Sequence, residues 1–284
     1  MNFKARLFVY LTLSVVTAQS GLLGLPPGTS QPYQPLGPRQ NTNAAAANCA
    51  CGYYIPETKL TFTHRLTLNP ATLQASDLAR GLYRQGWRID QYKLNSSPKA
   101  IYYAASNVRL NTRAKTLDLY VSGGPANRPV VRSAEITTLL ENIRYGSFRF
   151  NVKASAVPGT CHGMFLYKDD NNEIDIEILT SYLRQTGKPQ GAGTPDPGLQ
   201  LTIQKLRKNQ PQANYKVVPF DDRTDPTNGF HDYRFDWTST GVNYFFNQKL
   251  YGFSRYIPQA GGSVIVNNWS NGDICKLIPG HIFR

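Results

Sequence analysis

The sequence predicts an all-β fold, an antiparallel β-sandwich built from many short strands. Three observations carry this reading. Seventeen Tyr, 13 Phe, 23 Gly and 19 Pro in 284 residues favour strands joined by turns over helix bundles, where Gly and Pro are costly. Apolar and polar residues alternate with period 2 in several segments, and helical periodicity is scarce. Gly, Pro and Asn interrupt these segments at turn-sized intervals.

The elements follow in chain order. Lys4 and Arg6 precede an apolar run, Leu7 to Val16, and Val16 and Ala18 are small enough for a cleavage site. This is the layout of a secretory signal over residues 1–18, and the run is too short to span a hydrocarbon core of ~30 Å. Residues 19–48 hold Pro26, Pro27, Pro32, Pro35 and Pro38, then Ala44 to Ala47, and read as a leader or linker. One domain is expected over residues 49–284, a usual size for a single β-sandwich. Its one helix candidate lies near Leu73 to Tyr83 and is weakened by Gly81. Leu117, Leu119 and Val121 alternate with Asp118 and Tyr120, and Tyr145, Phe148, Phe150 and Val152 mark another strand. Tyr233, Phe235 and Trp237 form a third, joined through Ser239-Thr240-Gly241 to a fourth over Val242 to Phe246. Gly187 to Gly198, rich in Gly and Pro, is expected to be a surface loop.

Charge and cysteines narrow the function classes. Thirty-one Lys+Arg against 18 Asp+Glu give +13, which falls to +11 when Lys4 and Arg6 leave with the signal. Aromatics at 12% and charged residues at only 17% exclude a disordered chain. Export makes nucleic acid an unsuitable partner. The densest basic group, Lys205, Arg207 and Lys208, reads as a solvated face. No membrane contact is expected after signal removal, and a monomer is expected. In an oxidising compartment Cys49, Cys51, Cys161 and Cys275 are expected to pair. A Cys49–Cys51 ring would be very tight, so pairs to Cys161 and Cys275 are favoured, with the connectivity left open. No C-x-x-C is present and His64, His162, His231 and His281 are scattered, so neither a metal nor a cofactor is expected.

The most informative segment is Glu173-Ile174-Asp175-Ile176-Glu177-Ile178. On a strand, period 2 sends three acids to one face and three isoleucines to the other. The isoleucines anchor in a core between sheets, and the acids then face a concave or open surface. Same-face neighbours along a strand lie about 7 Å apart, so the acids repel. A structural strand gains nothing from that crowding. A catalyst gains a carboxyl group held protonated near working pH while another stays ionised. Glycoside cleavage needs this division, because one carboxylate attacks the anomeric carbon and another protonates the leaving oxygen. Glu173 and Glu177 start about 13 Å apart at the backbone, so only inward-leaning side chains reach the ~5 Å of retaining enzymes. An exposed acidic strand or a calcium site are the alternatives.

Glu173-Ile174-Asp175-Ile176-Glu177 resembles the E-x-D-x-E signature of glycoside hydrolase family 16, as found in secreted fungal-type β-glucanases. Ser133-Ala134-Glu135-Ile136-Thr137, Tyr145-Gly146-Ser147-Phe148-Arg149 and Val157-Pro158-Gly159-Thr160 resemble the strands that precede it. Phe230-His231-Asp232-Tyr233-Arg234-Phe235-Asp236-Trp237 and Asn267-Asn268-Trp269-Ser270 are similar to those that follow. The resemblance covers roughly residues 100–272. It implies a concanavalin A-like jelly roll with a concave glycan-binding cleft and retaining cleavage of β-1,3- or mixed β-1,3/1,4-glucan. It further implies Glu173 as nucleophile, Glu177 as acid/base and Asp175 tuning between them. Trp269 is a candidate sugar platform or a core residue, and His231 a candidate support for the carboxylates or a structural histidine. The tail after Asp273 departs from the family and reads as a shortened C-terminus, which predicts an unpaired sheet edge. A glucan transglycosylase and a non-catalytic glycan-binding protein are the competing functions. Asn95-Ser96-Ser97 and Asn268-Trp269-Ser270 are glycosylation sequons, with the second expected to stay unmodified.

Overall fold

The computed structural model describes residues 4–10, 52–56, 59–122, 128–183, 198–204, 214–220 and 224–272. Strand β1 (Lys4–Tyr10) opens the chain and belongs to the main sheet. A separate hairpin joins β2 (Tyr53–Ile55) to β3 (Leu60–Phe62). The helix is shorter than expected and starts later. It spans α1 (Leu78–Arg84), after single 3-10 turns at Pro70–Thr72 and Ala75–Asp77. Asn69 accounts for the shift: its side chain accepts from the Ala71 N–H at 3.1 Å and starts a turn with Pro70 in its first position, before the helix proper. Gly81 has a packing reason, since a Cβ there would lie 2.9 Å from Leu73 Cδ2.

Short strands β4 (Trp87–Ile89), β5 (Tyr92–Leu94), β6 (Ala100–Tyr103) and β7 (Val108–Asn111) lead into the longer ones. These are β8 (Thr116–Ser122), β9 (Val130–Thr138), β10 (Gly146–Lys153), β11 (Cys161–Asp169) and β12 (Asn172–Leu179). There follow β13 (Gly198–Ile203), β14 (Asn214–Pro219), β15 (His231–Thr238), β16 (Gly241–Phe246), β17 (Lys249–Ser254) and β18 (Ser263–Trp269). The strands expected around Leu117, Phe148, Tyr233 and Val242 are β8, β10, β15 and β16.

Hydrogen bonds join the strands in the order β14-β13-β12-β11-β18-β9-β8-β1-β10-β15-β16-β17. All of these pairings are antiparallel; among the described strands, β6 alone runs parallel to its neighbour β9. Strand β9 is the corner. Its second half, Ala134–Thr137, pairs with β18, while Arg132 in its first half meets Ser122 of β8. The two resulting layers enclose the largest buried cluster among the described residues. Ile174, Ile176 and Ile178 of β12 and Met164 and Leu166 of β11 belong to the same buried cluster as Phe148, Phe150, Phe235, Trp237 and Phe246 of the other layer. Tyr244 of β16 crosses between layers and donates to the Thr202 carbonyl at 3.1 Å. The architecture is the all-β sandwich that the alternation predicts.

The isoleucine row anchors the acid row. All three isoleucines are fully buried, and burying them contributes on the order of 5–9 kcal/mol. Repulsion between two carboxylates 7 Å apart costs only about 2 kcal/mol at an effective dielectric near 20. Packing therefore outweighs the crowding of charge and holds the acids in register.

Residues 4–10, expected at the start of a removable leader, form an interior strand flanked by β8 and β10. Cys49, Cys51 and Cys275, the Lys205–Lys208 group, most of the Gly187–Gly198 loop and the tail from Asp273 lie outside the described residues.

Candidate active site

A tight turn sets the acid row. Asp169 Oδ1 accepts from the Asn171 N–H at 3.0 Å and from Asn172 Nδ2 at 2.9 Å, folding β11 back into β12. The register shifts once between Tyr167 and Asp169, and then Glu173, Asp175 and Glu177 stand opposite Tyr167, Phe165 and Gly163. On the other flank Asp175 stands opposite Thr202, and Glu177 opposite Gln200. With neighbours on both sides, β12 is an interior strand, and its three acids share one face with these residues.

The acids are not open to solvent, contrary to the sequence expectation of an open face. Glu173, Asp175 and Glu177 keep 2%, 1% and 4% of their accessible surface. The face they share carries Tyr167, Phe165, Gln200 and Thr202, bulky enough to wall carboxylates that alternation alone leaves bare. Burial has an electrostatic consequence. The Glu177 carboxyl is pushed up to about 7, because a charge there loses its hydration, while a hydrogen bond from Cys161 pulls weakly the other way. Cys161 Sγ lies 3.4 Å from Glu177 Oε1. Cys161 is a free buried thiol and not one end of a long-range disulfide. Its own thiol is raised by burial and by the adjacent Glu177 charge.

A second polar row lies along the same face. Glu135 Oε1 accepts from the Tyr92 hydroxyl at 2.6 Å, and Oε2 accepts from Asn267 Nδ2 at 3.0 Å. Asn267 Nδ2 also lies 3.3 Å from the Tyr103 hydroxyl, and its Oδ1 accepts from the Gly163 N–H at 3.2 Å. Gly163 makes this approach available: a Cβ there would lie 2.6 Å from Asn267 Oδ1. Because Gly163 stands directly opposite Glu177, a chain of hydrogen bonds runs from Glu135 through Asn267 to the strand beside Glu177. Beyond it, Asp90 accepts from Arg88 Nε at 3.0 Å and from the Thr137 hydroxyl.

The structure sorts the remaining candidates. Trp269, opposite Cys161 on β18, is half-buried and packs with Tyr182 against Cys161 and Leu179, with β11 between its strand and that of Glu177. His231 is not brought to the acids. It lies on β15 opposite Val152 in the other layer, stacks on Phe246 at 5.4 Å, and bonds Asn247 and the Asp225 carbonyl. Its place in that layer makes it a structural histidine. Tyr145 packs edge-on against Trp237 at 5.2 Å and lines the core. Glu135, Asn267, Gln200 and Cys161 join the site without having been singled out as site residues. Their signal is their position opposite or next to the acid strand, and that depends on pairing across up to 132 residues of sequence. Asn268 turns the other way. Its Oδ1 lies 3.1 Å from His162 Nδ1, and its Nδ2 donates to the Leu119 carbonyl at 2.9 Å. Among the described residues no cluster of three or more His, Cys, Asp or Glu is arranged to hold a metal ion.

Protonatable and ionisable carboxyl groups on one buried strand face, walled by aromatic and amide side chains, suit acid–base chemistry on a polyhydroxylated substrate. Among solved structures, the chain is similar to the β-glucanase of Bacillus licheniformis, with 18% identity, a TM-score of 0.55, and coverage of 75% of this chain and 88% of that one. It is similar to a prokaryotic β-1,3-1,4-glucanase (lichenase) from a mouse hindgut metagenome, with 16% identity, a TM-score of 0.54, and coverage of 76% and 91%. A family 16 endo-glucanase from Bacteroides ovatus matches at 14% identity and a TM-score of 0.50, covering 67% and 84%. At such identities the likeness is one of fold, a jelly-roll sandwich. No curated protein matches the sequence. The model for glycosyl hydrolases family 16 matches residues 90–273, more than half of the chain, and the protein therefore belongs to that family.

Proposed function

We propose that the protein is a retaining endo-β-glucanase acting on β-1,3- or mixed β-1,3/1,4-glucan. One observation carries the reading: Glu177, on the same strand face as Glu173 and Asp175, has a carboxyl group raised to about 7 by burial, so it holds a proton at mildly acidic to neutral pH. In the first step the Glu173 carboxylate attacks the anomeric carbon. The glycosidic C–O bond breaks, and the Glu177 proton passes to the leaving oxygen. In the second, Glu177 takes a proton from water, whose oxygen attacks the anomeric carbon and releases Glu173. Asp175, between the two on the same face, tunes the nucleophile. Trp269 stacks a pyranose ring beside Glu177.

Laminarin and lichenan are the test substrates, with xyloglucan and agarose as controls. Cleavage is expected to give products that keep the β configuration, and Glu173→Gln is expected to abolish turnover while preserving glucan binding. Inverted products, or a Glu173→Gln variant as fast as the parent, would overturn the assignment. Products longer than the starting oligosaccharide would make water the minor acceptor and the enzyme a transglycosylase. The leader-like N-terminus supports export and an extracellular or wall-associated glucan. An exported protein beginning at Gln19 is the expected result of N-terminal sequencing.

A further inference from the structure

The 3-10 turn Ala105–Asn107 lies beside the one residue pair that joins β8 to β9, Ser122 with Arg132. A buried side chain pins it there. Asn107 Nδ2 donates to the Tyr120 carbonyl of β8 at 3.0 Å and to the Arg132 carbonyl of β9 at 2.9 Å. Its Oδ1 accepts from the Ser122 hydroxyl at 3.4 Å. Ser106, the middle residue of the turn, is exposed, and its place is set by this anchored neighbour.

Two arginines from different strands converge on Ser106. Arg109 Nε of β7 donates to its carbonyl at 2.9 Å, and Arg132 Nη2 of β9 donates to its hydroxyl at 3.1 Å. Each guanidinium also lies over a tyrosine ring. Arg109 Cζ is 4.9 Å from the centre of Tyr120, and Arg132 Cζ is 5.5 Å from the centre of Tyr102. Tyr102 stands directly opposite Arg132 on β6, and Tyr120 is the diagonal neighbour of Arg109 on β8. Holding two long side chains in this way costs rotamer freedom. An ion pair would be the ordinary return, yet among the described residues no carboxylate pairs with either arginine. Asp118, which stands opposite Arg109, is 1% exposed and accepts from the Thr116 hydroxyl at 2.7 Å. Each guanidinium has used one N–H on Ser106 and keeps the others for a ligand.

We propose that Arg109 and Arg132, converging on Ser106 and seated on Tyr120 and Tyr102, bind an acidic polysaccharide through the carboxylate or sulfate groups along its chain. Planar guanidinium edges match the two oxygens of such an anion. Both arginines are exposed, so the surface suits a chain that lies across it and not a small ion enclosed in a pocket. The excess of 31 Lys+Arg over 18 Asp+Glu draws a polyanion to the same protein. The surface holds the exported enzyme in an acidic matrix while the acid row works on neutral glucan. Only the place where the polyanion is met rests on the export reading.

Binding of the full chain to polygalacturonate, dextran sulfate and neutral dextran at low salt tests this without reading glucan cleavage, so either result leaves the glucanase assignment where it stands. Binding to a charged polymer and not to dextran is expected, and the tighter of the two names the anion. Arg109→Gln with Arg132→Gln is expected to weaken that binding by about tenfold or more. Lys168→Gln with Arg255→Gln removes the same charge from two exposed positions elsewhere and is expected to change it by less than about twofold. Arg109→Lys with Arg132→Lys keeps the charge, loses the planar fork, and is expected to fall by about threefold or more. Melting temperatures near the parental value show that each variant is folded. A parent that binds neither charged polymer more tightly than dextran would overturn the proposal. So would a glutamine pair that binds like the parent, a control pair that loses as much as the glutamine pair, or a lysine pair with parental affinity.

Discussion

The Cys161 thiol donates a hydrogen bond to Glu177 Oε1 across 3.4 Å, both side chains being buried on the acid face. A donor aimed at a carboxylate favours its ionised form, so this bond works against the burial that raises Glu177. Cys161→Ala removes the donor and should raise Glu177 further. The basic limb of the kcat/KM profile is then expected to move up by about half a pH unit, the equivalent of a weak hydrogen bond at 1.36 kcal/mol per unit. Cys161→Ser keeps a donor and is expected to leave the limb near its parental position. A pH profile on a soluble oligosaccharide decides between them; an unmoved limb in Cys161→Ala would mean that the thiol only packs.

Glu177→Gln is expected to oppose activity and stability to each other. The folded carboxyl titrates near 7 against 4.5 for the ordinary group, so the folded state holds the extra proton between those values. Its contribution is fully present below pH 4.5 and is lost as pH rises through 7, by up to about 3 kcal/mol. An amide carries no charge to bury. Glu177→Gln should therefore melt higher than the parent at pH 8 and nearly equally at pH 4.5. Its turnover should fall at least 100-fold on substrates with poor leaving groups, the step that needs the proton. Thermal melts at the two pH values, alongside rates on good and poor leaving groups, check both halves.

Gly163→Ala tests the hydrogen-bond chain behind the acids. Its Cβ would lie 2.6 Å from Asn267 Oδ1 and 3.3 Å from the Phe165 ring, so Asn267 has to move. That movement breaks the bond from the Gly163 N–H and loosens the one to Glu135. Overpacking of this kind costs about 1–3 kcal/mol. Activity is expected to drop by roughly 10-fold or more, mainly in kcat, since Gly163 stands opposite Glu177. A variant with parental kcat and a lowered melting temperature would separate packing from positioning.

The acid row was legible in the sequence because strand alternation is a one-dimensional signal: Glu173, Asp175 and Glu177 share a face whatever their neighbours are. The isoleucine face was legible for the same reason. Partners across strands were not. The contact of Cys161 with Glu177 and the link from Gly163 through Asn267 to Glu135 depend on register between segments up to 132 residues apart. Burial of the acids was missed because Tyr167, Phe165 and Gln200 meet them only after β11 and β13 are set beside β12. His231 lay in a family-like run, but the run is a strand of the opposite layer. The sequence reads the helix too early because an apolar window registers the buried Leu73 and not the turn that Asn69 starts.

His162 limits stability in acid. Its ring is fully buried on the core side of β11, where Nε2 accepts from the Ser155 N–H at 3.0 Å and Nδ1 lies 3.1 Å from Asn268 Oδ1. An acceptor at Nε2 and a donor at Nδ1 specify the neutral ring, and burial lowers its titration from 6.5 to about 3, against the opposing pull of Asn268. Below pH 6.5 the unfolded chain takes up a proton that the folded one refuses. The stabilisation is therefore complete above 6.5 and is lost as pH falls through 3, by up to about 5 kcal/mol. Between 4.5 and 6.5 the slopes from His162 and Glu177 have opposite signs and offset each other, so stability is expected to be flat there and to fall on the acid side. His162→Ala deprives Ser155 and Asn268 of their partners and should cost about 2–4 kcal/mol at pH 7. With no ring left to protonate, its loss between pH 4.5 and 3 should be shallower than the parent's. Urea unfolding of both chains at pH 7, 4.5 and 3 measures this, and parallel acid limbs would show that another group governs acid unfolding.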